Sequence, residues 1–402
     1  MAQHKNFAKN SEILFIISKD YFFYNLKRIT WISTMRIVFD YKIFNWQQYG
    51  GISRYIYKLA HGLAIECRQD VTVVAPFYSN QYLKHAPKSL KVLGFPIKKI
   101  RRTGRIFQAI NWAVSWPILR YLQPDIVHET YYSAKRIAPK SAKVVLTVHD
   151  MIHERFSDQF SEFDSTIKEK AIAVARADHI ICVSEQTRKD LIALLDVNPA
   201  KTSVVYHGFS LTSRVGAQQE IDSPTRPFLL YVGSRYGYKN FVGLLQAYAV
   251  STKLQTGFDL ICFGGGTFTS KEISMFQQLG LAVNAIRQVS GSDAVLAGYY
   301  QAASAFVYPS LYEGFGLPPL EAMSFNCPVV CSNVSSIPVV VGNAGLMFDP
   351  NDTQSIKLAI EQVVGDSVLR KVLIGHGQER IKQFSWEKCA QETADVYRKL
   401  LE

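Results

Sequence analysis

The sequence predicts an α/β protein built from two Rossmann-like domains. Three observations carry that expectation. The chain is 402 residues long, more than a single core usually organises. A short apolar run, a glycine turn and a helical pattern recur in that order from residues 36, 228 and 305 onward. Between the first and second of these lies a polar segment, residues 212–226, with Gly216, Gln218, Gln219 and Pro224, which reads as a linker.

Residues 1–34 are unlike the rest of the chain and are expected to be an N-terminal extension, loosely attached or preceding a natural start at Met35. The run Arg36-Ile37-Val38-Phe39 reads as the first strand. Gly50-Gly51 then opens a helical pattern through Tyr55, Leu59 and Leu63. Strand, Gly-Gly, helix is the arrangement in which free helix N–H groups receive phosphate; an ordinary turn is the plainer alternative. Residues 71–76 read as a second strand. Residues 88–105 hold seven basic and no acidic side chains, and Phe107, Ile110, Trp112 and Trp116 follow. Basic residues beside tryptophan suggest an interfacial membrane contact, and the alternative is a solvated loop leading into a core helix. Residues 125–128 and 144–148 are strands, the second running into His149-Asp150, where a parallel sheet lines its ligand crevice. After a strand at 180–183, Ser184 reads as a helix N-cap for Thr187, and residues 204–208 close the first domain.

The second domain opens with the strand 228–232 and Gly233. Its loop brings Arg235, a planar bidentate donor, and Lys239, a compact point charge, a pair suited to a diphosphate unless the loop is simply solvated. Residues 260–263 lead into Gly264-Gly265-Gly266, and residues 293–303 read as a helix. The apolar run 305–308 is followed by Glu313-Gly314-Phe315-Gly316, then by Leu317-Pro318-Pro319 and Glu321. Proline suits a first helical turn, and glycine lets other groups approach the backbone. One carboxylate in the turn and one in the helix, beside a helix N-terminus, suit a polyhydroxylated ligand bearing phosphate. Surface charges or caps are the plainer reading of two such glutamates. A strand at 329–332 and the Phe384-Ser385-Trp386 entry to a last helix complete the chain.

Residues 1–225 hold 31 Lys and Arg against 19 Asp and Glu, so the formal charge of +12 sits in that half. No nucleic-acid motif accompanies it, and an anionic membrane surface or phosphorylated lipid fits better. Six scattered cysteines read as reduced, mostly buried thiols of a cytoplasmic protein. No membrane span or signal-peptide pattern is visible.

Glu313 to Glu321, with the intervening GFGLPPL, resembles the E-x7-E signature of retaining glycosyltransferases of the GT-B fold, most closely family 4. The resemblance extends over nearly all of the chain from Met35. It implies two Rossmann-like domains facing across a cleft: an acceptor-side domain over 35–215 joined by a C-terminal helix within 384–402 that crosses back, and a nucleotide-sugar domain over 226–383. It places Gly50, Gly51, Gly233, Gly264, Gly265, Phe315, Gly316 and Leu317 against the donor, with Arg235 and Lys239 on its diphosphate and Glu321 on its ribose. Glu313 and His149 face the reacting sugar, and His128, Tyr131 and Tyr132 face the acceptor. Departures are His207 where the family has Asn, Ser234 and Tyr238 where it has Arg, with Arg235 displaced by one position, and Val339 where it has Glu. No Asp-x-Asp occurs, so no metal and no other cofactor is expected; the nucleotide sugar is a co-substrate. The GSRYGYKNF stretch resembles mannosyltransferases and suggests a GDP-linked donor. The implied acceptor is a lipid-linked or polysaccharide glycan at the inner face of the cytoplasmic membrane. A GT-B sugar-nucleotide epimerase and a catalytically silent nucleotide-binding scaffold are the alternative readings.

Overall fold

The apolar runs pair into two wholly parallel sheets in a computed structural model that describes residues 34–98, 103–209 and 225–402. In the first sheet the strands are β1 (Arg36–Phe39), β2 (Asp70–Tyr78), β3 (Lys91–Pro96), β4 (Ile126–Glu129), β5 (Lys143–Val148), β6 (His179–Cys182) and β7 (Thr202–Val204), in the order β3-β2-β1-β4-β5-β6-β7. In the second they are β8 (Phe228–Val232), β9 (Asp259–Phe263), β10 (Ile286–Val289), β11 (Ala305–Tyr308), β12 (Val329–Ser332) and β13 (Gly345–Phe348), in the order β10-β9-β8-β11-β12-β13. Central strands such as β4, β11 and β12 are buried along their whole length, as parallel strands covered by helices on both faces must be. Both sheets reverse their winding between the first strand and the fourth, at β1/β4 and at β8/β11. The crevice beyond the strand ends at such a reversal is where open α/β sheets take ligands.

The helices that position the site follow from local sequence. After β1 come the short α1 (Lys42–Trp46) and α2 (Gly51–Ile65), which buries Tyr55, Ile56, Leu59, Ala60 and Leu63 on one face. Helix α3 (Gly104–Leu122) carries the tryptophans. Helix α4 (Glu185–Leu195) starts at the Ser184 cap, whose hydroxyl accepts the Thr187 N–H at 3.1 Å. Helix α5 (Leu317–Ser324) follows the second glycine turn. Helix α6 (Trp386–Leu401) buries Cys389, Ala390, Thr393, Ala394 and Tyr397 and lies on α2, with Ala390 beside Gly62. It therefore lies against the first sheet's helices.

Two expectations are corrected. The basic stretch 88–105 contains strand β3, paired with β2. Its signal is weak because the strand lies at the sheet edge, mostly exposed, and carries an internal glycine. There Lys91 pairs with Asp70 at 2.6 Å. His128 does not face an acceptor: it is fully buried in β4, with Nδ1 bonded to the Tyr397 hydroxyl at 2.5 Å and Nε2 to Thr147 Oγ1 at 2.9 Å. All of the extension at 1–34 except Thr34, and most of the linker, including the expected domain end at 215, lie outside the described residues. Five cysteines are buried and Cys67 is partly buried, all as free thiols.

Tyr397→Ala removes the buried ring that ties α6 to β4 and orphans His128. It should cost about 3–5 kcal/mol, read as a lowered urea midpoint.

Candidate functional site

The loop after β11 is held rigidly. Ser335 and Ser336 donate to the Glu313 carbonyl at 2.7 and 2.9 Å, and Ser335 Oγ accepts the Glu313 N–H at 3.2 Å. Ser336 also donates to the Phe315 carbonyl at 2.9 Å. Gly316, at φ +99°, then makes the left-handed step into α5, whose first turn holds Pro318 and Pro319. The Glu313 carboxylate receives Lys239 Nζ at 2.7 Å, both side chains being largely enclosed. Lys239 comes from the loop after β8, so the pair spans the winding reversal of the second sheet.

The same loop presses against the first sheet. A Cβ on Gly314 would lie 1.8 Å from the His149 carbonyl oxygen, so only glycine permits this approach. Helix α4 grips the residues on either side of Glu313. Thr187 donates to the Gly314 carbonyl at 3.2 Å, and the Tyr312 hydroxyl donates to Asp190 Oδ2 at 2.7 Å. Asp190 Oδ1 in turn accepts from Gln186 at 3.0 Å and from Arg155 at 2.5 Å. Tyr312 and Asp190 were not singled out from sequence; an i, i+3 pair on one helix face, Thr187 and Asp190, was the available signal.

His149 follows β5 and is 8% exposed, its Nε2 buried with no hydrogen-bond partner among the described residues. Burial, then the neighbouring His207 and His128 and Lys170, hold its imidazole well below the ordinary value, so it is neutral. His207 lies under Phe315 at 5.0 Å and beside Tyr55 at 4.5 Å, and burial lowers it to about 3.

Arg235 is placed differently from the expectation. Its guanidinium is buried, with Nε bonded to Glu272 at 2.6 Å and its terminal nitrogens donating to the carbonyls of Gly264, Gly266 and Thr267 at 3.0, 2.9 and 3.2 Å. It fastens the glycine loop instead of presenting a free cation, because the loop's left-handed glycines turn their carbonyls toward it. Gly233 is tied to the same region through its N–H on Phe263 O at 2.9 Å.

Across the cleft, the N-termini of α2 and α5 converge on a narrow crevice lined by Gly51, Arg54, Tyr55, His207, Leu317 and Glu321. Gly50 is the N-cap of α2. Burial raises the Glu321 carboxyl, against the opposing pull of Arg54 and a 3.3 Å hydrogen bond from Tyr300. Arg54 was missed from sequence; it lies one helical turn beyond the Gly50–Gly51 pair, which was the signal available. The structure thus brings together Glu313, Lys239, His149, Gly314 and Phe315 at one contact and Gly51, Leu317 and Glu321 at the adjoining crevice. Gly264, Gly265 and Arg235 are packed on one another. Among the described residues, no cluster of three or more His, Cys, Asp or Glu side chains is placed to hold a metal ion, and no helix is long and apolar enough to cross a membrane.

Comparison with known proteins agrees with this architecture. Residues 49–213 match the family described as Glycosyltransferase Family 4, and residues 217–380 match Glycosyl transferases group 1. The O-antigen chain mannosyltransferase B of Escherichia coli is 30% identical over 87% of this chain and 96% of its own length. The O-antigen chain mannosyltransferase RfbU of Salmonella typhimurium is 25% identical over 66% of this chain and 74% of its own. The fold is shared with sucrose-phosphate synthase of Thermosynechococcus elongatus, at a TM-score of 0.70 and 20% identity over 90% of this chain and 98% of that one.

His207 is neutral in the folded chain down to about pH 3 but titrates near 6.5 when unfolded. The unfolded state therefore binds the extra proton, and this residue's contribution to stability is lost as pH falls from 6.5 toward 3. Replacing it (His207→Asn) should make the stability–pH curve shallower by about 1.4 kcal/mol per pH unit between pH 4 and 6, measured by urea unfolding.

Proposed function

The chain belongs to glycosyltransferase family 4, and on that footing we propose that it moves a mannosyl-type sugar from a GDP-linked donor to a hydroxyl of a lipid-linked or polysaccharide glycan, with retention at the sugar carbon. The observation that carries this reading is the Lys239–Glu313 pair at the winding reversal of the second sheet, set against His149 of the first. In the reaction the bond from the sugar C1 to the diphosphate oxygen breaks. The acceptor oxygen bonds C1 on the same face, and its proton passes to the leaving phosphate oxygen. Lys239 turns its charge from Glu313 to the diphosphate as negative charge develops there. Glu313 and the Phe315–Gly316 backbone orient the sugar, and neutral His149 offers its unsatisfied Nε2 to a sugar hydroxyl. Glu321 takes the ribose hydroxyls, with Arg54 across the crevice. Arg235 acts at one remove, by holding the Gly264–Gly266 loop.

The donor assignment is supported by the mannosyltransferase relatives and by the GSRYGYKNF stretch. Membrane contact is supported by the face made by β3 and α3. There Phe95, Ile106 and Tyr121 are more than half exposed, and the partly exposed Trp116 and Trp112 carry Arg120 and Lys135 over their rings at 4.0 and 5.4 Å. Such a face lies on an anionic lipid surface at the inner side of the membrane and brings a lipid-linked acceptor to the cleft.

Lys239→Ala should lower kcat by roughly 10²–10³-fold, and Glu321→Ala should raise the donor KM about tenfold. GDP should raise the melting temperature more than UDP or dTDP does. Near-wild-type transfer by both variants in a purified assay contradicts the site, and stabilisation by UDP alone contradicts the donor.

A further inference from the structure

A tyrosine that the transfer step leaves unused lies beneath the Lys239–Glu313 pair. Tyr308 ends β11 and is buried. Its carbonyl accepts from Ser332 at 3.3 Å, and its ring packs beside Phe306 at 5.7 Å between ring centres. The Lys239 ammonium stands 5.7 Å from the centre of the same ring, and a Cβ on Gly316 would touch it at 3.7 Å. Strand, lysine and the start of α5 thus hold the ring in place, and its hydroxyl with it.

That hydroxyl is buried with no hydrogen-bond partner among the described residues, and the Ser310 hydroxyl beside it is buried and unpartnered too. Burial, and then the Glu313 carboxylate, hold the phenol well above its ordinary range, so it stays protonated and remains a donor. Glu313 is therefore a close neighbour that the phenol does not yet bond. Lys239 claims the carboxylate at 2.7 Å, and an ammonium is the stronger partner while it is there.

The transfer step removes that partner. As Lys239 turns to the diphosphate, Glu313 is left enclosed without a counter-charge, which is a costly state. Its backbone cannot shift to relieve it, since Ser335 and Ser336 hold its N–H and carbonyl. Only the carboxylate can turn. We propose that Tyr308 is a positioning residue for Glu313: its hydroxyl takes one carboxylate oxygen when Lys239 leaves for the diphosphate, and the other oxygen is free for the sugar. A phenol suits this exchange better than a second cation. It donates one hydrogen bond and adds no positive charge to compete with Lys239 for phosphate. Being fixed by packing, it needs no reordering at the moment of exchange. The unpartnered hydroxyl of the resting chain is then a donor held in reserve.

This assignment rests on the glycosyl-transfer reading, and the test separates the two. Tyr308→Phe deletes the hydroxyl and keeps the ring. It is compared with the wild type, with Lys239→Ala and with the double variant, all melted without ligand. The hydroxyl is idle in the resting chain, so Tyr308→Phe alone should leave the melting temperature within about 1 °C of wild type. Without Lys239 the carboxylate turns to the phenol at once, so the same substitution in the Lys239→Ala background should lower the melting temperature by about 2 °C. The wild type and Tyr308→Phe are also titrated with GDP and with UDP. Affinity for the nucleotide that binds the wild type should fall about tenfold in Tyr308→Phe, and kcat with it, while the acceptor KM stays within about twofold. The same melting shift in both backgrounds overturns the assignment, and so does unchanged nucleotide affinity in Tyr308→Phe; either result leaves the transferase reading standing. A wild-type chain that binds neither nucleotide overturns the transferase reading and this assignment with it.

Discussion

The approach of Gly314 to the His149 carbonyl is the constraint on which the site depends. It joins the carboxyl ends of two separate sheets at one point, with no room for a side chain between them. Everything proposed to orient the sugar lies within a few residues of that contact: Glu313, Phe315 and Gly316 on one side, His149 on the other. Helix α4 reinforces it by gripping Tyr312 and Gly314, the neighbours of Glu313, through Asp190 and Thr187. A carboxylate fixed on both flanks by the opposite domain keeps its direction only while the two sheets are together. On the proposed reading, sugar orientation and domain contact are one property of this molecule.

The electrostatics follow from the same geometry. Lys239 and Glu313 neutralise one another across the second sheet's reversal, which lets both charges sit largely enclosed. A diphosphate offers the lysine a stronger partner and frees the glutamate for hydroxyl groups. Beside them the histidines contribute no charge, since burial keeps His149, His207 and His128 neutral. Arg235, expected on the diphosphate, is consumed in holding the glycine loop together, so positive charge at the contact comes from Lys239 and, at the crevice, from Arg54.

Much of this was legible in the sequence, for physical reasons that differ by residue. Strands buried on both faces read as short apolar runs, and β11 and β12 were found to the residue. Gly316 and the double proline marked the start of α5, because few other residues tolerate the left-handed angle at Gly316 and proline suits a first helical turn. Strand β3 was not legible, since an edge strand half exposed to water lacks the apolar run. Partnerships were less legible still. His128 sits at a strand end like His149, and only the return of α6 decides that one is sealed under Tyr397 while the other borders the cleft. The commitment of Arg235 to Glu272 and three carbonyls likewise depends on the path of a loop about thirty residues away.

The direct test of this account is the smallest possible change at the contact, Gly314→Ala, assayed for folding and for single-turnover transfer. The added methyl must push the sheets apart, so the melting temperature should fall and, at a temperature where the chain is still folded, the transfer rate should drop by about 10² or more. A Gly314→Ala chain that transfers sugar at nearly the wild-type rate would contradict the claim that one shared contact assembles the site.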